Sequence, residues 1–165
     1  MDAKIIIRPE ILRFTTDYSK TVEELISCGG YGNCTEKIIT ANFPIPAEMT
    51  GKKIKVVAKL ISPKQDMETK AIYHEINRLG LRMLSIMDLL SLGYKYPELQ
   101  REFVIAALGS ICQDINSRPI TPILFQIGGC RCLYSTHADV IWKANSTCFL
   151  CAPQEKSWIK KIIRK

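Results

Sequence analysis

The sequence lacks a long hydrophobic run, and it contains only two histidines among its 165 residues. Its longest apolar stretch, from Phe103 to Cys112, is about half of the roughly 20 residues that a membrane-spanning helix needs. The opening run Ile5–Ile7 is too short for the apolar region of a secretory signal peptide, and no small-residue cleavage site follows it. We therefore expect a cytoplasmic protein without a transmembrane segment.

The composition is that of a folded domain. Apolar residues make up 47% of the chain and charged residues 24%, which excludes a disordered protein. A domain of this length buries roughly 70% of the surface that its unfolded chain exposes, so it needs no disulfide or metal to complete its core. Seven cysteines without an export signal also indicate reduced thiols. We expect a single globular domain over residues 1–154.

The positive charge is concentrated at one end of the chain. Residues 155–165 have a net charge of +4, which leaves +3 of the total +7 for the rest. As a helix, this segment would be amphipathic, with its Trp and Ile side chains opposite its bases, and it could contact anionic lipid or nucleic acid. Alternatively, the isoleucines dock on the domain and the bases keep the end soluble. The candidate contact residues are Lys156, Trp158, Lys160, Lys161, Arg164 and Lys165.

Two capping patterns predict helices with defined ends. Thr21–Glu24 has the form of a capping box, and the helix that it opens should end at Gly29 and Gly30. Ser85–Asp88 has the same form, with the acid at the third helical position, and Gly93 should end that helix. Gly29 and Gly30 follow a predicted helix, whereas a phosphate-binding loop needs a strand before it, so a phosphate-loop role is disfavoured.

A third helix is predicted between these two. Ser62–Gln65 supplies a cap and a proline at the first helical position, which indicates a helix up to Leu79. Its buried side should be formed by Ile72, Ile76 and Leu79, which recur at helical spacing.

The remaining segments favour strands. Lys52–Ile61 alternates between apolar residues and lysines, so we expect a half-exposed strand whose lysine row either contacts phosphates or prevents edge-to-edge aggregation. Further strands are predicted at Lys4–Arg8, at Phe103–Leu108, and near 120–127, 130–135, 138–144 and 147–152. The order of elements predicts a single α+β domain, an antiparallel sheet with two to three short helices.

Two resemblances accompany this pattern. Residues Gly80–Leu89 resemble the signature of C-type-lectin-like domains related to formylglycine-generating enzymes, with Ser85 in place of the family's Thr and Leu84 in place of its Pro. This resemblance implies a lectin-like core over about 52–154. Residues Leu89–Arg101, Ala107–Ser110 and Ile7–Asp17 are similar to a group of small uncharacterised proteins from bacteria and their phages. That similarity implies no known activity.

Four late cysteines could form a metal site. Cys130 and Cys132 are separated by fifteen residues from Cys148 and Cys151, and two close pairs at such a distance are typical of a tetrahedral zinc site. The spacing departs from a zinc ribbon, which has Cys-x-x-Cys at both ends. The alternative, that these are buried structural thiols, is favoured because free cysteine behaves as a small hydrophobic residue.

Two further sites of thiol chemistry are considered, a histidine beside a thiol and a pair of cysteines. His137 lies near Cys132 or Cys148 in sequence, and a hydrolase would need such a histidine beside a thiol. Cys28 and Cys34 could form a redox pair, although their spacing matches no redox motif.

Three functional hypotheses follow. The leading one is a non-enzymatic binding module for another protein, such as an accessory protein of a phage or mobile element. The second is a zinc-stabilised nucleic-acid-binding protein that uses the four late cysteines, the lysine row and the basic C-terminal segment. The third is a cysteine-dependent hydrolase.

Overall fold

The computed structural model describes residues 3–35, 38 and 42–154. Within them lie four helices: α1 (Val22–Gly29), α2 (Thr69–Arg78), α3 (Ile86–Lys95) and α4 (Leu99–Glu102). The strands are β1 (Ile5–Ile7), β2 (Leu12–Asp17), β3 (Asn33–Cys34), β4 (Lys53–Pro63), β5 (Met67–Glu68), β6 (Leu81–Met83), β7 (Ile105–Ala106), β8 (Cys112–Gln113), β9 (Pro119–Ile127), β10 (Cys130–His137), β11 (Ile141–Trp142) and β12 (Cys148–Pro153). Among the described residues, no helix is long and apolar enough to span a bilayer.

Ten of these strands form one mixed sheet. Its main order is β1-β4-β12-β7-β9-β10-β3, while β2 pairs with β4, β6 with β12, and β8 with β9. Strands β5 and β11 form a separate antiparallel pair. The α+β class is confirmed, but the sheet is not purely antiparallel, because β12 runs parallel to β7 and β10 parallel to β3. The described residues also contain four helices where two to three were expected.

The sheet carries a hydrophobic core on each face. Alternation along β4 places Ala58 and Leu60 in one core and Ile61 in the other, because successive side chains of a strand point to opposite faces. Helices α1 and α3 pack on the first face, and α2 packs on the second beside Trp142 and Phe149. The lysines that alternate with the apolar residues of β4 are exposed or half-buried, as the sequence predicted.

Both capping boxes form as predicted. The Thr21 hydroxyl accepts a hydrogen bond from the Glu24 backbone N–H at 3.1 Å, and the Glu24 carboxylate accepts one from the Thr21 N–H at 2.9 Å. Gly30 ends α1 in the left-handed conformation, with φ of 66°. Ser85 and Asp88 make the equivalent pair at the start of α3.

The prediction for α2 is wrong at its start, whereas its end, at Arg78, lies one residue from the expected Leu79. Residues Ile61–Pro63 pair with Ile5–Ile7, so strand pairing extends β4 through the segment that was expected to open the helix. The helix begins at Thr69 instead, and Leu79, expected to be buried, is 37% exposed. Tertiary pairing here overrides a local capping pattern.

Gly93 does not end α3, which continues to Lys95. A Cβ atom at position 93 would clash with the Tyr31 hydroxyl and would lie 3.0 Å from Leu124 Cδ1. The glycine therefore permits close packing between α3, the segment after α1 and β9.

Candidate functional site

A cleft of about 490 Å³ lies where the central strand β12 ends, beside the start of α3. Strand β4 contributes Ile54 and Val56 to its wall, because these alternate residues face the core that α3 covers. The complete lining is Tyr18, Met49, Ile54, Val56, Arg82, Asp88 and Gln154. The cleft thus combines an apolar wall with one base, one acid and one phenol.

Asp88 is the acid of the cleft and is only 3% exposed. Its Oδ2 accepts hydrogen bonds from the backbone N–H and the hydroxyl of Ser85, both at 3.0 Å, and its Oδ1 accepts one from the Thr16 hydroxyl at 2.7 Å. These three donors compensate the carboxylate for the water it loses on burial. Asp88 therefore caps α3 and ties it to β2, which leaves it poorly suited to act as a general base.

Tyr18 is the phenol of the cleft and is 7% exposed. Burial raises the pKa of its hydroxyl, and the negative charge of Asp88 raises it further, although Ser85 and Arg82 act in the opposite direction. The hydroxyl is consequently protonated at neutral pH and can donate a hydrogen bond to a ligand.

Arg82 is the base of the cleft and comes from β6, whose short pairing with the end of β12 positions it. It makes no ion pair with any residue that the structure describes. A half-buried guanidinium with no paired acid is well suited to bind a carboxylate or phosphate of a ligand, because it can donate two parallel hydrogen bonds.

The structure does not bring the four late cysteines together. Cys148 pairs with Ile105, Ile105 with Leu124, and Leu124 with Leu133, so β12 and β10 are three strand spacings apart, about 14 Å. Sulfurs that share a tetrahedral zinc lie about 4 Å apart. Within the described ranges, no group of three or more His, Cys, Asp or Glu residues could hold a metal.

The two cysteines of β12 also face opposite sides of the sheet. Cys148 belongs to the core under α1 and α3, whereas Cys151 belongs to the other core, with its Sγ 3.5 Å from Met83 Sδ. The two thiols of a Cys-x-x-Cys sequence point to the same side in a tight turn, but they point to opposite faces in a straight strand. Burial raises the pKa of both thiols, so they are protonated and unreactive at neutral pH.

Cys130 and Cys132, in contrast, lie next to each other on one side of β10, as expected for alternate strand residues. Burial raises the pKa of the Cys132 thiol, and the neighbouring Cys130 raises it further.

The other proposed thiol sites involve His137, Cys28 and Cys34. His137 ends β10, with its Nδ1 4.0 Å from Asp114 Oδ2. It is five positions from Cys132, on the other face of that strand. Cys28 is exposed on α1, whereas Cys34 lies in β3. The six candidate contact residues between Lys156 and Lys165 lie outside the described residues.

Sequence reasoning missed most of this cleft. The capping pattern located Ser85 and Asp88, but nothing local to Tyr18 or Arg82 indicated that they would meet there. They are brought together by long-range pairing of β6 with β12 and by the turn that follows β2.

Comparison with known proteins adds no relative, since no family model, curated protein or solved structure matches the chain.

Proposed function

We propose that the protein is a non-enzymatic binding module that engages a partner protein through the cleft beside α3. The occupant would be an apolar side chain of the partner with a carboxylate next to it. The observation that supports this is that an apolar wall, formed by Met49, Ile54 and Val56, lies beside the guanidinium of Arg82. That guanidinium makes no ion pair with a described residue.

The polar groups of the cleft favour binding over catalysis. Asp88 is held by three donors, and Tyr18 is kept protonated, so neither is prepared to accept a proton from a substrate. The seven lining residues include no thiol and no imidazole. Tyr18 and Arg82 are instead two hydrogen-bond donors suited to an anionic group.

The cleft has the size of a ligand-binding pocket but is too small for a folded partner, so the contact would be one or two residues of a longer interface. The resemblance to uncharacterised bacterial and phage proteins extends the proposal to an accessory protein of a phage or mobile element that binds a host protein.

A random peptide library tests the proposal. The wild-type protein should select peptides in which an apolar residue adjoins an acidic residue or the terminal carboxylate. Arg82→Gln should weaken the selected peptides at least tenfold in a titration, because the carboxylate loses its charged partner.

The matched control is Arg101→Gln, which removes the same charge from α4, where exposed Arg101 pairs with exposed Glu98. Peptides that bind Arg82→Gln as tightly as the wild type would contradict the proposal. Selection of basic peptides would contradict it as well.

A further inference from the structure

A second cavity, of about 340 Å³, lies between β2 and the C-terminal halves of α1 and α3. Buried Phe14 and Leu25 form its apolar part. Three exposed lysines, Lys20, Lys53 and Lys95, line it from three separate segments of the chain. The fold thus brings together three ammonium groups that are far apart in sequence.

The positive charge of this cavity is only partly compensated. Asp17 is its one acid, and the carboxylate is already engaged, because its Oδ1 accepts hydrogen bonds from the hydroxyl and the backbone N–H of Ser19. Those hydrogen bonds lower the pKa of Asp17, and the nearby charges of Lys53 and Lys20 lower it further. No ion pair joins the three lysines to an acid among the residues that the structure describes.

The ends of the two helices do not neutralise the lysines either. The last carbonyls of a helix carry a partial negative charge that would disfavour an anion. The Arg131 guanidinium donates hydrogen bonds to the carbonyl oxygens of Gly29 in α1 and Gly93 in α3, the latter at 2.7 Å. Arg131 therefore satisfies carbonyls from both helix ends, so the lysine charge stays available to a ligand.

An exposed aromatic ring completes the cavity. Tyr94 lies next to Lys95 on α3 and is 67% exposed, although it lines the same cavity as the buried Phe14 and Leu25. A free aromatic face beside several ammonium groups suits a ligand with a flat ring at one end and phosphates at the other.

We infer that this lysine cavity is a second binding site, distinct from the cleft at the start of α3, and that it takes a nucleoside phosphate. Lys20, Lys53 and Lys95 would contact the phosphates, and Tyr94 would contact the base. The volume is at the lower end of the range for small-molecule sites, so it limits the ligand to one nucleoside unit.

Titration calorimetry with ATP tests the inference directly. Each of Lys20→Ala, Lys53→Ala and Lys95→Ala should weaken ATP about three- to tenfold at low salt, and the triple variant should abolish measurable binding. All three lysines are exposed, so the variants should keep the wild-type melting temperature. Lys64→Ala is the matched control, since it removes an exposed lysine outside the cavity. Equal ATP affinity in the wild type and the triple variant would overturn the inference.

Pyrophosphate and an oligonucleotide distinguish the kind of anion. Pyrophosphate should bind more weakly than ATP, and Tyr94→Ala should weaken ATP while leaving pyrophosphate unchanged. Equal affinities for ATP and pyrophosphate would overturn the assignment of a nucleoside. A single-stranded oligonucleotide that binds but is not displaced by ATP would overturn the small-ligand site in favour of a nucleic-acid surface.

The exposed thiol of Cys28, which lines the same cavity, provides a second readout. The rate of Cys28 alkylation can be followed by peptide mass spectrometry with anionic iodoacetate and with neutral iodoacetamide. The ratio of the iodoacetate rate to the iodoacetamide rate should be higher in the wild type than in the triple lysine variant, because the lysines attract the anion. ATP should slow both reagents. The same ratio of rates in the two proteins, together with no protection by ATP, would contradict the site.

Discussion

The two ends of α3 contribute to two different cavities and hold opposite charges. At its start, Asp88 is buried, paired with three donors and essential to the cap of the helix. At its end, Lys95 is exposed and lies beside two other lysines. The signs agree with the helix dipole, which favours acids at the start and bases at the end. The buried acid at the start of α3 therefore serves stability, whereas the lysine at its end is exposed and makes no ion pair with a described residue.

The largest effect is expected from removing the buried acid. Asp88→Ala leaves three donors without their acceptor and removes the cap of α3, so it should cost about 3 kcal/mol of unfolding free energy. Thermal denaturation should show a decrease of roughly 10 °C in Tm. Asp17→Ala, at the half-buried acid of the lysine cavity, loses only the local hydrogen bonds from Ser19 and should lower Tm much less. Similar decreases in both variants would contradict the division between the two ends.

A somewhat smaller effect is expected at Gly93. In an exposed helix position, glycine to alanine gains about 1 kcal/mol of helix propensity. Here the new methyl group would clash with Tyr31 and crowd Leu124, so Gly93→Ala should instead lose about 2 kcal/mol in urea denaturation. Lys95→Ala on the same helix is the control, and it should change stability little. A more stable Gly93→Ala protein would show that the segment around Tyr31 can move away.

The next effect is a loss of stability at high pH. Burial is the main reason why the pKa of Tyr31 rises from 10.0 to about 12, with the Arg131 charge acting in the opposite direction. The unfolded chain therefore loses this proton first, and stability falls as pH increases from about 10 to 12. At pH 11 the ratio of folded to unfolded protein should fall about tenfold through Tyr31 alone. In Tyr31→Phe, denaturation curves measured between about pH 10 and 12 should show a smaller fall in stability, because no phenol titrates at this position. The same fall in stability as in the wild type would contradict the role of Tyr31.

The smallest effect is expected from a metal chelator. Because Cys130 and Cys132 are about 14 Å from the strand that carries Cys148 and Cys151, we expect EDTA to leave Tm unchanged. Elemental analysis of the purified protein should find no stoichiometric zinc. A chelator-induced decrease in Tm, or one equivalent of zinc, would restore the four-cysteine hypothesis.

The sequence predicted the local features of this fold better than its long-range ones. The capping boxes at Thr21 and Ser85 form because their hydrogen bonds are made within one helical turn. The cap expected at Ser62 fails because that segment pairs with β1, almost sixty positions earlier. The cleft escaped sequence reasoning for the same reason, since Tyr18 and Arg82 meet only through the sheet.

The position of β12 has a consequence for the order in which the fold can assemble. It is the last described strand in the chain, yet it lies in the middle of the sheet, between β4 on one side and β6 and β7 on the other. Its residues alternate between the two cores, with Leu150 in one and Phe149 in the other. During synthesis, neither core can therefore close until β12 has been made, and β4, although it can pair with β1 and β2, keeps the edge that β12 occupies unpaired. The protein should depend on protection of its nascent chain more than its modest length suggests.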